Sequence, residues 1–600
     1  MIRKSTLWLA AAALLLAGTA GCPKNGGEPN GKTVEKPLIG RLAKDARQPN
    51  IIFILIDTLR ADRVGACGSK RGLTPNLDAI AAEGLVFDDA VAAAPWTLPS
   101  VGSLFTSYYP SVHKAVSYSE IAKNQKVVEA AMAQHRPPPQ VSVLQDELQT
   151  LAETMQLMRF ETAAFSANGF IQAEYGFGQG FETFVNAWQP EQNSIPAPNV
   201  IAPALKWLDG RKNTAKPFFM YLHFMDVHGP YNADAKYMDP QMAKFDQAPP
   251  TTRISVDEFN RINAYMRKPP EPLTQNQAEY FAKYQRYREY WEARYDAGVA
   301  EMDDYLGQLK AALQERGVWD DAYVIIIADH GEALNDHAGL WEHGYSQFQT
   351  DLSVPIVLRW PEVVPTGHVS TRVSLMDVMP TLIDQFGDAD ISALQGHSLV
   401  PLFPGNPGDA ERPHFSEALK FWGGEGLDGK AIFDGQWKYV EAPISDDRLG
   451  AYLFDLSKDP GETTNLARNE PTIASRLKST LDEQVALNAT VKPDITVTVT
   501  DVSEQSRNQL ADVGYLGDDH AEEKLVELRA KLGLPNATAE QLKDAVTRDN
   551  RIEVGKLLGV SPPNIQNIRK KIDGLFEDMK NKAKDGADGA KADVPDDKKP

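Results

Sequence analysis

Asn50-Ile51-Ile52-Phe53-Ile54-Leu55-Ile56-Asp57-Thr58 is an unbroken apolar run that ends on an acid. A run without polar alternation is the pattern of a strand buried on both faces, the situation of a central strand in a parallel sheet. Similar runs occupy Pro217 to Phe224, Ala322 to Ala328 and Val354 to Leu358. Helical patterns lie between them, for example Pro75 to Glu83 before Gly84. This alternation predicts an α/β sandwich around a mostly parallel sheet. After about Pro401 the pattern changes. Asp434 to Tyr439 and Ala451 to Leu456 read as strands of a small antiparallel sheet. Ligands of open α/β sheets gather at the carboxyl ends of the strands, which is where Asp57 and the pair Asp329-His330 fall.

The bulk composition sets bounds. The chain has 600 residues, 42% hydrophobic and 24% charged, enough for one large domain with smaller appendages. Its formal net charge of −20 argues against nucleic acid as a partner, since phosphate binding needs basic patches. An anionic substrate must therefore be held by local chemistry.

Arg3 and Lys4 precede the apolar run Leu7 to Leu16, which is too short for an ordinary transmembrane helix. Leu16-Ala17-Gly18-Thr19-Ala20-Gly21-Cys22 resembles a bacterial lipobox, with small residues before the cysteine. That reading makes Cys22 the acylation site and places the protein in the bacterial cell envelope, lipid-anchored and facing the periplasm or outer membrane. Ordinary signal cleavage nearby is the alternative. Beyond it only Cys67 remains, which excludes an intramolecular disulfide and suits a small buried residue.

The stretch Ala94-Pro95-Trp96-Thr97-Leu98-Pro99-Ser100-Val101 and its continuation to Thr106 resemble the signature of the sulfatase family, within the alkaline phosphatase superfamily. Asp459-Pro460-Gly461-Glu462-Thr463-Thr464-Asn465-Leu466 resembles the family's C-terminal signature. The likeness spans roughly Pro49 to Gly517. It implies a catalytic domain at 49–400, which follows the signal peptide at 1–22 and a tether at 23–48 rich in Gly, Pro and Lys. A C-terminal subdomain would follow at 401–517, then a helical extension and charged tail at 518–600. Two segments, Ser119 to Thr150 and Asn232 to Tyr290, read as insertions of the kind that cover a site or contact a partner.

The resemblance places Thr97 where sulfatases carry the cysteine or serine that becomes formylglycine, and threonine cannot undergo that oxidation. Asp57, Thr97, Asp329 and His330 would surround one divalent cation: manganese, zinc, calcium or magnesium. Thr58 stands where a second aspartate is usual. An imidazole ligand favours transition metals over calcium. The cation would lower the pKa of the Thr97 hydroxyl and polarise an ester oxygen. Thr97 also reads as a helix N-cap, and Pro99 as a start for the helix that follows. By the same likeness His228 serves oxyanion stabilisation or leaving-group protonation, and His343 contacts substrate. His223 reads as structural, and His113 as packing. Val101 replaces the signature arginine. The usual lysine and histidine pair is absent from Phe165 to Phe170, which offers Asn168 for substrate binding.

Three functions stay open at this level. The first is a metal-dependent hydrolase of sulfate or phosphate esters in a glycan, lipid or small molecule, working through a threonyl ester. The second is an envelope phosphoethanolamine or phosphoglycerol transferase. The third is a sulfatase-fold binding protein without catalysis.

Overall fold

The run that opens the sequence reading is strand β1 (Ile51–Ile56), fully buried along its length. The computed structural model describes residues 39–501 apart from 44–45, 117–139, 188–195, 244–253, 255–258, 260–287, 338–339, 345, 388–389, 409–410, 420–428, 446–447 and 492–498. It also describes scattered positions between 528 and 572. Cys22, the tether up to residue 38, most of the first insertion, much of the second and the charged tail lie outside the described residues.

The strands of the main sheet are β1, β2 (Leu85–Val91), β4 (Glu161–Ser166), β5 (Thr183–Asn186), β6 (Phe218–Phe224), β7 (Tyr323–Ile327), β10 (Ser353–Arg359), β11 (Gly367–Val369) and β12 (Val373–Ser374). Their spatial order is β11-β2-β10-β7-β1-β6-β4-β5, with β12 also on β2. The sheet is parallel from β7 through β1, β6 and β4 to β5. Strand β10 runs antiparallel to both β7 and β2. The α/β sandwich with a mostly parallel sheet is therefore the observed architecture.

A second sheet joins β13 (His414–Ala418), β14 (Gly429–Asp434), β15 (Trp437–Ser445) and β16 (Arg448–Asp455), all antiparallel. The sequence reading began a strand at Asp434, but Gly435 and Gln436 form the β14–β15 turn, and Gly435 takes a φ of +55° that favours glycine. Lys438 of this sheet is fully buried and pairs with Glu462 at 2.5 Å. Glu462 in turn accepts from the Gln349 amide at 2.6 Å, tying the small sheet to the segment just before β10.

Helix α1 (Pro75–Ala81) appears where the sequence placed it. Its first-turn amides at Asn76 and Leu77 are satisfied by the buried Asp303 carboxylate at 2.9 and 2.8 Å. Asp303 belongs to the 28-residue helix Arg288–Glu315. Helix α2 (Thr97–Thr106) is buried over all ten residues. The sequence reading of Thr97 as N-cap is corrected here: Trp96 is the cap, extended at φ −157°, and Thr97 is the first helical residue. The helix also starts two residues before Pro99, which sits within its first turn.

Candidate functional site

Strand alternation explains why the site residues meet. Leu55 of β1 is in register with His223 of β6 and with Ile327 of β7, and His223 is in register with Ser166 of β4. In-register neighbours share a face, and so do residues two apart on one strand. Asp57, Asp329 and Asn168 each lie two positions beyond a member of that row. Four adjacent carboxyl ends therefore deliver Asn168, His223, Asp57 and Asp329 to one side of the sheet. Helix α2 brings Thr97 to the same place, anchored by the Ser100 hydroxyl, which donates to the Asp329 carbonyl at 2.6 Å.

Asp57, Asp329 and His330 each present a ligand atom within 4.8 Å of the others, and all three are fully buried. Asp57 Oδ2 accepts from Asn168 Nδ2 at 2.7 Å and lies 3.0 Å from His223 Nε2. Asp57 Oδ1 and Asp329 Oδ2 have no hydrogen-bond partner. They lie 3.6 and 3.4 Å from His330 Nε2. His330 Nδ1 is 2.8 Å from the Gly331 carbonyl, which can only accept, so Nδ1 carries the proton and Nε2 offers its lone pair. Two orphaned carboxylate oxygens and one imidazole lone pair, converging in a buried space, fit a divalent cation.

The electrostatics agree. Burial would raise the Asp57 carboxyl, but the His223 hydrogen bond and the neighbouring imidazoles hold it well below the ordinary carboxylate range. Asp329 is pushed far up, first by burial and then by the Asp57 charge. His330 is pushed far down, by burial and by His343.

Thr97 Oγ lies 3.1 Å from His330 Nε2 and 3.4 Å from Asp57 Oδ2. His228 Nδ1 donates to the Gly229 carbonyl at 3.0 Å. The His343 ring packs on His330 at 4.5 Å and on His228 at 5.0 Å between centroids. Its Nδ1 faces the buried Glu332 carboxylate at 3.2 Å. His228 and His343 keep 6% and 5% exposure while Thr97 keeps none, so the open side of the cluster lies over these two rings.

The structure thus brings Thr97, His228, His343, Asp57, Asp329 and His330 together. Asn168 is placed against Asp57. His223, which the sequence reading assigned to structure, is also inside the cluster. Its signal was available: an imidazole in an otherwise apolar central strand needs a polar partner. His113 packs under α2, 3.1 Å from both Ser103 Oγ and the Pro99 carbonyl, and burial pushes it down to about 3. Val101, at the arginine position, is buried.

Arg60 and Tyr295 were not singled out either, and both shape the loop after β1. Thr58 holds a φ of +59°, a conformation that costs a β-branched residue energy. The Tyr295 hydroxyl donates to the Thr58 carbonyl at 2.6 Å and accepts from the Arg60 amide at 3.0 Å. The Arg60 guanidinium is engaged by Asp62, Asp336 and the Glu332 carbonyl.

A family model described as sulfatase matches residues 49–388, over half of the chain. The chain belongs to the sulfatase family. A second model, for the C-terminal region of N-sulphoglucosamine sulphohydrolase, matches residues 341–487. The chain is 27% identical over 501 residues to the multifunctional alkaline phosphatase superfamily protein PehA of Trinickia caryophylli, covering 72% of this chain and 93% of that one. It is 24% identical to arylsulfatase K of Danio rerio, covering 72% and 83%. Among solved structures it resembles a protein captured with its substrate D-glucosamine-2-N,6-O-disulfate, with a TM-score of 0.57 at 18% identity, covering 75% of this chain and 99% of that one. The chain is accordingly a sulfatase-family hydrolase of ester bonds, a family that binds a divalent metal.

Proposed function

We propose that this sulfatase-family protein hydrolyses sulfate or phosphate esters with Thr97 as the nucleophile, through a threonyl ester. One observation carries the reading. The Thr97 hydroxyl, on the first residue of α2, lies 3.4 Å from Asp57 Oδ2 and 3.1 Å from His330 Nε2, against the cluster formed by Asp57, Asp329 and His330. A divalent cation held by those three side chains would supply charge to lower the pKa of the hydroxyl and to polarise the ester.

The protein's own groups account for the remaining steps. The Thr97 hydroxyl first loses its proton to solvent, and its oxygen then bonds to sulfur or phosphorus as the bond to the leaving oxygen breaks. His228, from the imidazolium form, gives its Nε2 proton to that oxygen. The neutral ring then takes a proton from the water that cleaves the threonyl ester, which returns Thr97. Glu332, 3.2 Å from His343 Nδ1, orients that ring over the cluster. Burial of the cluster strengthens each of these interactions.

Both ester classes are kept because the relatives point to both. One is named for arylsulfatase activity and another as a multifunctional member of the alkaline phosphatase superfamily. We also infer that Cys22 is acylated and holds the enzyme at the cell envelope, on the strength of the stretch Leu16 to Cys22. Loss of radiolabelled palmitate from Cys22→Ser tests that placement.

The activity test uses protein loaded separately with manganese, zinc, calcium and magnesium. Matched aryl sulfate, aryl phosphate monoester and aryl phosphodiester are assayed with wild type and Thr97→Ala. Metal-dependent turnover that falls by several orders of magnitude in Thr97→Ala is expected. Turnover retained in that variant removes Thr97 as nucleophile. No turnover on any ester, with metal bound, favours a transferase with a strict acceptor or a binding protein.

A further inference from the structure

His223 is an imidazole placed with no exposure in the strand Phe218-Phe219-Met220-Tyr221-Leu222-His223-Phe224, every other side chain of which except the Tyr221 hydroxyl is apolar. Burying an imidazole there costs free energy unless its nitrogens are satisfied. Both are. Nε2 lies 3.0 Å from Asp57 Oδ2, and Nδ1 lies 3.0 Å from the Tyr221 hydroxyl. An ionised carboxylate only accepts, so Nε2 carries the proton and Nδ1 accepts from Tyr221. The direction of the chain is therefore Tyr221 O–H to His223, and His223 N–H to Asp57. Tyr221 and His223 are two apart on one strand, which puts them on the same face. Burial and the charges of Asp329 and Asp57 push the Tyr221 phenol far up, so it keeps the proton it donates.

The consequence falls on Asp57. Its Oδ2 receives hydrogen bonds from His223, from Asn168 at 2.7 Å and, more loosely, from the Thr97 hydroxyl at 3.4 Å, while its Oδ1 receives none. The two shorter bonds, from His223 and Asn168, fix the rotation of the carboxylate and leave Oδ1 facing His330 Nε2. We propose that His223, itself fixed by Tyr221, is a positioning residue that selects Asp57 Oδ1 as the metal-facing oxygen. This rests on Asp57, Asp329 and His330 being the metal site. It also gives the cluster a polar group on β6 beside Ser166, in the region where β4 lacks the signature lysine and histidine. Outer partners of metal-bound carboxylates and imidazoles tune affinity in this way, with effects of about 10–100-fold.

The test measures Mn²⁺ affinity by the electron paramagnetic resonance of free Mn²⁺, on the full chain. It compares wild type, His223→Leu, His223→Gln and Tyr221→Phe, with the melting temperature of each metal-free protein alongside. His223→Leu should bind about 10–100-fold more weakly. His223→Gln keeps an N–H donor and should recover part of that loss, and Tyr221→Phe should weaken binding by a smaller factor. A rescue by glutamine distinguishes a donor role from simple filling of the core. Wild-type affinity in a folded His223→Leu overturns the proposal. Where that variant fails to fold, wild-type affinity in Tyr221→Phe overturns it instead. A wild-type protein that binds neither Mn²⁺ nor Zn²⁺ overturns the metal-site reading on which the proposal rests.

Discussion

Replacing Tyr295 by phenylalanine tests how the loop after β1 is held. The phenyl ring still fills its place, 5.8 Å from the Tyr231 ring, so packing is conserved. Two hydrogen bonds are lost, one to the Thr58 carbonyl and one from the Arg60 amide. Thr58 and Tyr295 are fully buried and Arg60 is 5% exposed, so water cannot readily replace the hydroxyl. Each orphaned buried group costs roughly 1–3 kcal/mol. The loop also loses the clasp that holds Thr58 at φ +59°. Relaxation of that conformation returns on the order of 1 kcal/mol. The net loss is then about 1–5 kcal/mol. Urea unfolding should show a lower midpoint with an unchanged slope, since the surface exposed on unfolding is the same. Because Asp57 immediately precedes Thr58, turnover at saturating metal should fall as well. A stability loss under about 0.5 kcal/mol would refute the reasoning, since it would mean that the hydroxyl carries neither backbone group.

Two further expectations concern charge. The Asp226 carboxyl, on the loop between β6 and His228, is pushed up to about 7 by burial. A carboxyl that holds its proton more tightly when folded favours the folded state at low pH, and the advantage is lost as pH rises from about 4 to about 7. Asp226→Asn should therefore be more stable than wild type above pH 8 and lose that margin at pH 5, which chemical denaturation at the two values would show. A pH-independent difference would refute it. Lys438→Met strips the partner from buried Glu462 and should destabilise by about 3–5 kcal/mol, whereas adding Glu462→Gln should restore part of that loss. Equal stability of the single and double variants in thermal melts would show that the pair is not coupled.

Much of this molecule could be read from the chain itself. The unbroken runs at 51–56, 218–224 and 323–327 announce central strands, because a strand buried on both faces has no reason to alternate. Asp57 and Asp329-His330 could be picked out for the same reason, as polar residues terminating apolar runs at the end of the sheet where ligands collect. Thr97 could be located by its flanking residues. Its exact place in the helix could not, because the cap is decided by the extended backbone of Trp96, a property of how α2 docks. His223 shows the limit most clearly. Its strand neighbours are apolar apart from the Tyr221 hydroxyl, and Asp57, the partner that gives it meaning, is 166 positions away in the chain. Tyr295 reaches Thr58 across 237 positions, and Glu332 becomes significant only when His343 folds back over it. Local sequence carries the periodicity that sets strands and helices. Which polar group satisfies which is decided by register between strands and by docking of helices, and those depend on the packing of the whole core.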